Sequence, residues 1–427
     1  MLHYVQHDKY IFEMGSSHNM KKKLRYQSHS IRVPYALSVH DHRETKAVSR
    51  VIDEHRTALG KETREFEKKI AALFGKKYGI MVNSGSSANL LSIELLNLPA
   101  GSEVITPVVT FNTTVAPLIQ KGLVPVFVDV KPDTYLIDID KIESRITKKT
   151  KALFIPSLIG NVPDMARLRA IADTHNLFFV EDSCDTLGAT FGGKPTGAFS
   201  DISTTSFYGS HIINAGSGGG MICVNDTKWH ERLLVLRGWG RTSGLFADSE
   251  DVAKRFTSEL DGIPYDGKFI FTEVGYNMLP LEMSAAFGLV QLKKLTQFTQ
   301  RRQKNFQALS QMFQQWDRYF STPIQTPKSF TNWLAFPLTI KNGVPFSRIN
   351  LVTFLEKNNI QTRPVFTGNI LRQPAYAHMR KHNDPTLYPV TDFVMNHSFV
   401  IGCHQGISAP HLNHIKKTVE AFLAQYK

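Results

Sequence analysis

Two short segments hold the residue types best suited to chemistry. The apolar run Leu177-Phe178-Phe179-Val180 ends in Glu181-Asp182. In open α/β sheets, ligands bind beyond the carboxyl ends of strands. A carboxylate there can ligate a metal, accept from a ribose, face a protonated pyridine nitrogen, or simply cap a helix. The second segment, Asn83-Ser84-Gly85-Ser86-Ser87-Ala88-Asn89, follows a β-branched run and opens a helical pattern. Small residues at a helix start let an anion approach unpaired N–H groups. An ordinary capped turn has the same composition, and no Gly-Lys-Ser/Thr follows to make a P-loop. Further on, Ser206-Phe207-Tyr208-Gly209-Ser210-His211 leads into Gly216-Ser217-Gly218-Gly219-Gly220. This glycine run precedes a strand, which predicts a tight turn rather than a phosphate cradle.

The elements that would position these groups follow from hydrophobic period. Helical spacing predicts helices over 43–58 and 62–74. Short runs at Gly79 to Val82, Val104-Ile105, Val124 to Val130, Ala152 to Ile155, Leu177 to Val180 and Met221 to Val224 read as strands. Strands alternating with helices predict an α/β domain, its mostly parallel sheet covered on both faces. Residues 240–270 read as loop. A long amphipathic stretch, Leu281 to Phe313, predicts a helix interrupted near Gln297. The remainder (Trp333 to Ile340, Ser347 to Lys357, Ile360 to Val365, His411 to Tyr426) predicts a small α+β domain. The division is an arm over 1–40, a large domain over 41–300 and a small domain over 301–427.

Composition narrows the classes. The 427 residues are 42% hydrophobic and 20% charged, enough to bury a core. Fifty Lys plus Arg against 37 Asp plus Glu give a net +13, which favours anionic partners. Only Lys21-Lys22-Lys23 forms a basic run, without aromatic interleaving, so nucleic acid is not the expected partner. Three cysteines, Cys184, Cys223 and Cys403, suit neither a disulfide framework nor a zinc site. No apolar stretch is long enough for a membrane span, and the polar start does not read as a leader. A cytoplasmic protein with reduced thiols is expected.

In order along the chain, the Gly85-Ser86-Ser87-Ala88 turn, Thr106-Pro107 with Phe111, Pro125 to Val130, Glu181-Asp182, Ser206-Phe207 and Gly275-Tyr276-Asn277 resemble the sugar-nucleotide aminotransferase family of pyridoxal phosphate enzymes. The resemblance runs from about Arg32 to the C-terminus and implies the type I, aspartate aminotransferase fold. It assigns Gly85, Ser86 and Ser206 to the cofactor phosphate and Phe111 to stacking on the pyridine ring. Asp182 falls to the ring nitrogen, and Asp185 stands where aminotransferases carry Gln or His. Asn277 would reach the cofactor phosphate of a neighbouring subunit, implying a homodimer with shared sites.

His211 occupies the position of the lysine that tethers the cofactor in this family, and no Lys lies between Lys194 and Lys228. An imidazole cannot hold the cofactor covalently but can move protons. This exchange resembles the sugar 3-dehydrase branch. Arg237-Gly238-Trp239-Gly240-Arg241, Lys254-Arg255-Phe256 and Gly368 to Pro374 are most similar to the CDP-4-keto-6-deoxyglucose 3-dehydrase. That enzyme holds a [2Fe–2S] cluster with four cysteines. Here Thr242 to Asp248 supplies no thiolate, and three cysteines fall one short. The resemblance therefore implies dehydration without an internal electron relay, as in the GDP-4-keto-6-deoxymannose 3-dehydratase. Pyridoxamine phosphate would join carbon 4 of a nucleotide-linked 4-keto-6-deoxyhexose. His211 would serve as acid and base at the cofactor methylene and the hydroxyl at carbon 3. Ammonia and a 3-deoxy-4-keto sugar would be released, with glutamate regenerating the amine form. Arg241, Arg363, Asn369 and Arg372 are candidates for the substrate diphosphate. The alternatives are a sugar aminotransferase using another lysine and a non-catalytic, cofactor-binding relative. The nucleotide base, the sugar stereochemistry and any external reductase are not legible.

Overall fold

The computed structural model describes residues 31–246, 251–381 and 383–426, without the side chain of Lys254. Most of the expected arm (1–30, with its basic run) and part of the cysteine-free 242–248 segment lie outside these residues. A seven-stranded sheet forms the centre. Its strands, in spatial order, are β1 (Tyr78–Val82), β9 (Gly220–Val224), β8 (Ile202–Ser206), β5 (Phe178–Asp182), β4 (Thr150–Pro156), β2 (Glu103–Pro107) and β3 (Val124–Val128). From β8 to β3 all pairs are parallel, whereas β9 runs antiparallel to both of its neighbours. Strands covered on both faces must be apolar on both, and their period of two sends neighbours to opposite layers. Phe154 joins the cluster under α3 (Gly85–Leu95) and α6 (Thr227–Arg237). Leu153 and Ile155 join the one under α5 (Met165–Thr174).

α1 (His42–Asp53) is shorter than the expected helix, and α2 (Lys61–Leu73) has the expected length one residue earlier. The buried carboxylate of Glu282 accepts from Gly60, Glu62 and Thr63 N–H groups at 2.6–3.2 Å and so fixes the start of α2. The long amphipathic stretch is two helices, α8 (Glu282–Lys293) and α9 (Leu295–Gln314). The break falls at Lys294 rather than Gln297. Its buried ammonium is drawn to Glu44 (2.5 Å) and Asp41 (3.1 Å).

The second layer is an antiparallel sheet ordered β12 (Phe320–Ser321), β14 (Phe336–Ile340), β16 (Ser398–Ile401), β15 (Thr362–Pro364). It packs under α10 (Arg348–Lys357), α12 (Ala409–Leu423) and part of α9. Val33 is fully buried in this core and its N–H donates to the Asn359 carbonyl at 2.8 Å. The segment just before residue 40 is thus built into the small sheet's layer. Residues 240–270, expected as loop, contain α7 (Val252–Arg255) and a hairpin, β10 (Ser258–Leu260) with β11 (Ile263–Tyr265). The base of this excursion is a backbone clasp. A Cβ on Gly240 would stand 1.9 Å from the Glu273 carbonyl oxygen, and one on Gly275 2.1 Å from the Gly240 nitrogen. Trp239 N–H also donates to the Tyr276 carbonyl at 2.7 Å. The remaining short strands, β6 (Thr190–Phe191), β7 (Lys194–Pro195) and β13 (Ser329–Phe330), form a ribbon beside the large sheet.

Candidate active site

A cavity of about 880 Å³ opens at the carboxyl ends of β5 and β8, between the large sheet and segment 363–376. Strand alternation sorts the two carboxylates at the end of β5. Glu181 turns away from the cavity and is satisfied by the hydroxyls of Ser183, Thr196, Ser200 and Ser203. Asp182 lines the cavity. Its carboxylate accepts from Asn89 Nδ2 at 2.8 Å, Thr114 Oγ1 at 3.0 Å and the Cys184 N–H at 3.2 Å. Asn89 comes from α3, and Thr114 from α4 (Asn112–Gln120). Three donors on one carboxylate fix its orientation.

The first turn of α3 forms one wall. Ser84 caps it by accepting from the Ser87 N–H at 3.1 Å, leaving Gly85 and Ser86 on the cavity. A Cβ on Gly85 would lie 2.6 Å from Ser206 Cβ and 3.0 Å from Cys184 Sγ, so only glycine fits between these side chains. The glycine run has a larger part than the expected turn. Ser217 (φ 69°) and Gly219 (φ 121°) do turn the chain. Ser217, Gly218 and Gly219 also line the cavity, with Gly219 bridged to Ser84. Two segments far apart in sequence thus make one small-residue cradle of a size and polarity that fit a phosphate. Phe111, 52% exposed, presents its ring to the same cavity beside Phe366.

His211 lies in the loop after β8, with its N–H donating to the Tyr208 carbonyl at 2.9 Å. Buried Ile212 and Ile213 anchor the loop. Burial brings the imidazole pKa down from 6.5 to about 4; the facing carbonyl of Ser206 opposes this shift and the nearby Arg302 charge adds to it. Nδ1 is enclosed and has no partner among the described residues. Asp185 accepts from the Ile159 N–H at 2.9 Å. Burial, then the neighbouring Asp182 charge, raises its pKa from 3.8 to about 8. Ile159 holds that amide in place at φ 60°, a costly angle for a β-branched residue.

Of the residues expected at the site, Gly85, Ser86, Phe111, Asp182, Asp185, Ser206, His211 and Arg363 line the cavity. Three expected substrate contacts do not. Arg241 stacks over the Trp239 ring at 4.3 Å. Asn369 is fully buried and donates to Asp392 (2.9 Å) and the Pro385 carbonyl (3.0 Å). Arg372 forms a bidentate pair with Asp392 at 2.7 and 2.5 Å. Asp392 thus pairs with the Arg372 charge and takes the Asn369 amide. Asn277 pairs with Gly238 in the clasp region and is not on this chain's own cavity. Tyr208, Asn89, Thr114 and Ile159 line the cavity without having been singled out. Only the polar start of α4 hinted at Thr114.

The model of the DegT/DnrJ/EryC1/StrS aminotransferase family matches residues 39–420. A lipopolysaccharide biosynthesis protein, RfbH, of Salmonella typhimurium is 38% identical over 85% of this chain and 85% of its own. A GDP-4-keto-6-deoxy-D-mannose 3-dehydratase of Yersinia pseudotuberculosis is 36% identical over 88% of this chain and 95% of its own. A solved GDP-4-keto-6-deoxymannose-3-dehydratase with a trapped PLP–glutamate geminal diamine superimposes with a TM-score of 0.80. It is 31% identical and covers 90% of this chain and 99% of that one.

Proposed function

We propose that this chain, which belongs to the DegT/DnrJ/EryC1/StrS aminotransferase family, is a pyridoxamine-phosphate-dependent 3-dehydratase of a nucleotide-linked 4-keto-6-deoxyhexose. One observation carries the choice within the family. His211 stands on the cavity and, among the described residues, no lysine lines it. A tethering group is therefore lacking where a transaminase would need one, which disfavours the aminotransferase alternative. The oriented Asp182 and the glycine-only cradle argue against a non-catalytic relative. The cavity fits the coenzyme: a small-residue cradle for a phosphate, an exposed aromatic face at Phe111, and a fixed carboxylate at Asp182 for a protonated pyridine.

When bound, the coenzyme supplies an amine that captures the ketone at carbon 4 and a ring that accepts electrons. The residues of this chain do the rest. Asp182, held by Asn89 and Thr114, would face the ring nitrogen. Gly85, Ser86 and Ser206 hold the phosphate. The His211 imidazole, neutral at physiological pH because it is buried, would take a proton from the methylene of the bound coenzyme. Once charged, it is the acid for the departing hydroxyl at carbon 3. Arg363, the one arginine on the cavity among the described residues, faces the substrate phosphates. Cys184 lines the cavity while Cys223 and Cys403 are buried elsewhere, so these thiols are not gathered for a cluster. Hydrolysis by water would then release the deoxysugar as a ketone together with ammonia, and glutamate would give up its amino group, leaving as the 2-oxo acid, to restore the amine form. The glutamate adduct of the solved relative supports that donor. A role in lipopolysaccharide O-antigen synthesis fits the Salmonella relative.

A second copy of this chain completes the site. Trp239, Phe246, Phe256, Ile263, Phe269, Phe271 and Val274 are 41–95% exposed on the excursion beside Asn277. An apolar patch of this extent marks a protein interface, and a homodimer would bring Asn277 to the partner's cofactor phosphate. No described helix is long and apolar enough to cross a membrane. The deciding experiment incubates the protein and pyridoxamine phosphate with GDP-, CDP-, dTDP- and UDP-linked 4-keto-6-deoxysugars, with and without glutamate. Mass spectrometry should show loss of the 3-hydroxyl and release of ammonia. An aminosugar product would establish transamination instead.

A further inference from the structure

Behind the wall that carries His211, α9 sends a guanidinium into the interior. Arg302 is fully buried, and its charge has no carboxylate partner among the described residues. Its recorded bonds go to neutral oxygens. Nε donates to Gln405 Oε1 at 2.8 Å and Nη1 to the carbonyls of Trp333 (2.9 Å) and Leu334 (3.0 Å). Nη2 donates to the carbonyl of His211 at 3.4 Å. Burying a cation without an anion is costly, yet this one joins the loop bearing His211 to the 333–334 segment on the cavity's far wall. Arg302 does not itself line the cavity.

We propose that Arg302 is a positioning residue of the dehydration: it fixes the His211 backbone and sets a permanent positive charge behind the imidazole, keeping the ring in its proton-accepting form. The inference rests on the reading of His211 as the acid–base group. Other groups around the ring are accounted for. Tyr208 stands edge-on at 6.1 Å from within the loop. Asp182 ends β5 and Cys184 and Asp185 follow it, while Tyr35 and Arg363 come from the small-sheet side of the cavity. The backbone carbonyls of Ser206 and Cys184 favour a charged ring, and Arg302 opposes them. Its effect also reaches His404, where burial first and then the same guanidinium lower the pKa to about 3.

The test reads His211 without turnover. Diethyl pyrocarbonate acylates neutral imidazole, and mass spectrometry of the His211 peptide, with each variant compared with wild type at the same pH and reagent dose, reports its protonation in the coenzyme-free protein. Gln405→Glu places a carboxylate against Nε and cancels the charge without removing the guanidinium. Wild-type His211 should react about equally at pH 5 and pH 7. In Gln405→Glu, a midpoint raised by about one unit would roughly halve the modification at pH 5. Arg302→Lys, which keeps the charge, should behave like wild type. The acid limb of the dehydration rate should move with the Gln405→Glu midpoint. Should Gln405→Glu unfold, Arg302→Gln provides the same comparison. Unchanged modification at pH 5 in a folded, charge-cancelled variant overturns the role of Arg302. A shifted midpoint with no dehydratase activity on any nucleotide sugar would instead sink the proposed function.

Discussion

Replacing Asp185 with Asn should stabilise the coenzyme-free protein, by an amount that grows with pH. The Asp185 carboxyl is 9% exposed and receives a single recorded hydrogen bond, from Ile159. Its pKa is raised from 3.8 to about 8, first by burial and then by Asp182. Between those values the folded chain keeps a proton that the unfolded chain has released. The unfolded state therefore binds fewer protons, and stability falls as pH rises through this window. At about 1.4 kcal/mol per unit, the cost at pH 7 has a ceiling of about 4 kcal/mol. Water in the cavity screens the charge, so a gain of about 2 kcal/mol is expected. An amide at 185 keeps an oxygen for the Ile159 N–H and cannot ionise. Urea unfolding of both proteins without coenzyme, at pH 5, 6, 7 and 8 and constant ionic strength, measures the difference. The gap should widen steadily from pH 5 to pH 8. Parallel stability curves for the two proteins would refute the reasoning, because they would mean Asp185 titrates alike folded and unfolded.

Three further outcomes follow from the site. Asp182→Asn leaves Asn89 and Thr114 around a neutral group, and deoxysugar formation should slow by about 10²-fold or more with the fold intact by circular dichroism. Gly85→Ala forces a methyl to 2.6 Å from Ser206 Cβ; stability should drop by about 1–3 kcal/mol in urea, and pyridoxamine phosphate should bind more weakly in a fluorescence titration. His211→Lys should form a borohydride-reducible bond to added pyridoxal phosphate, seen as a cofactor mass on residue 211, and lose dehydration; unchanged dehydration would remove His211 from the mechanism.

What the sequence could reveal depended on whether a residue's role was set locally. Continuous apolar runs marked β1, β4, β5 and β9, because strands buried on both faces have no polar side to show. β8 escaped because Ile-Ser-Thr-Thr-Ser carries little apolar signal; Ser203 and Thr204 are fully buried and bond to Glu181 and Asn89. Nor could the run at 221–224 announce that it enters the sheet antiparallel. Asp182 was legible as a carboxylate at a strand end, but its partners arrive from helices 68 and 93 positions earlier in the chain. Arg241, Asn369 and Arg372 lie off this chain's own cavity. Each has the right chemistry for a phosphate, yet Trp239 or Asp392 claims it once the chain has folded. Gly85 was found as a small residue, whereas the reason it must be small lies across the sheet at Ser206.

The clasp between Gly240 and Gly275 fixes the point at which the intervening stretch leaves the large domain and rejoins it. The chain departs and returns at one pinned crossing, so the intervening stretch adds little to the entropy of closing the fold; doubling such a loop costs only about 0.6 kcal/mol. A segment mounted in this way can change length at its tip while the catalytic wall stays in register, so long as the apolar side chains that would meet a second copy are kept.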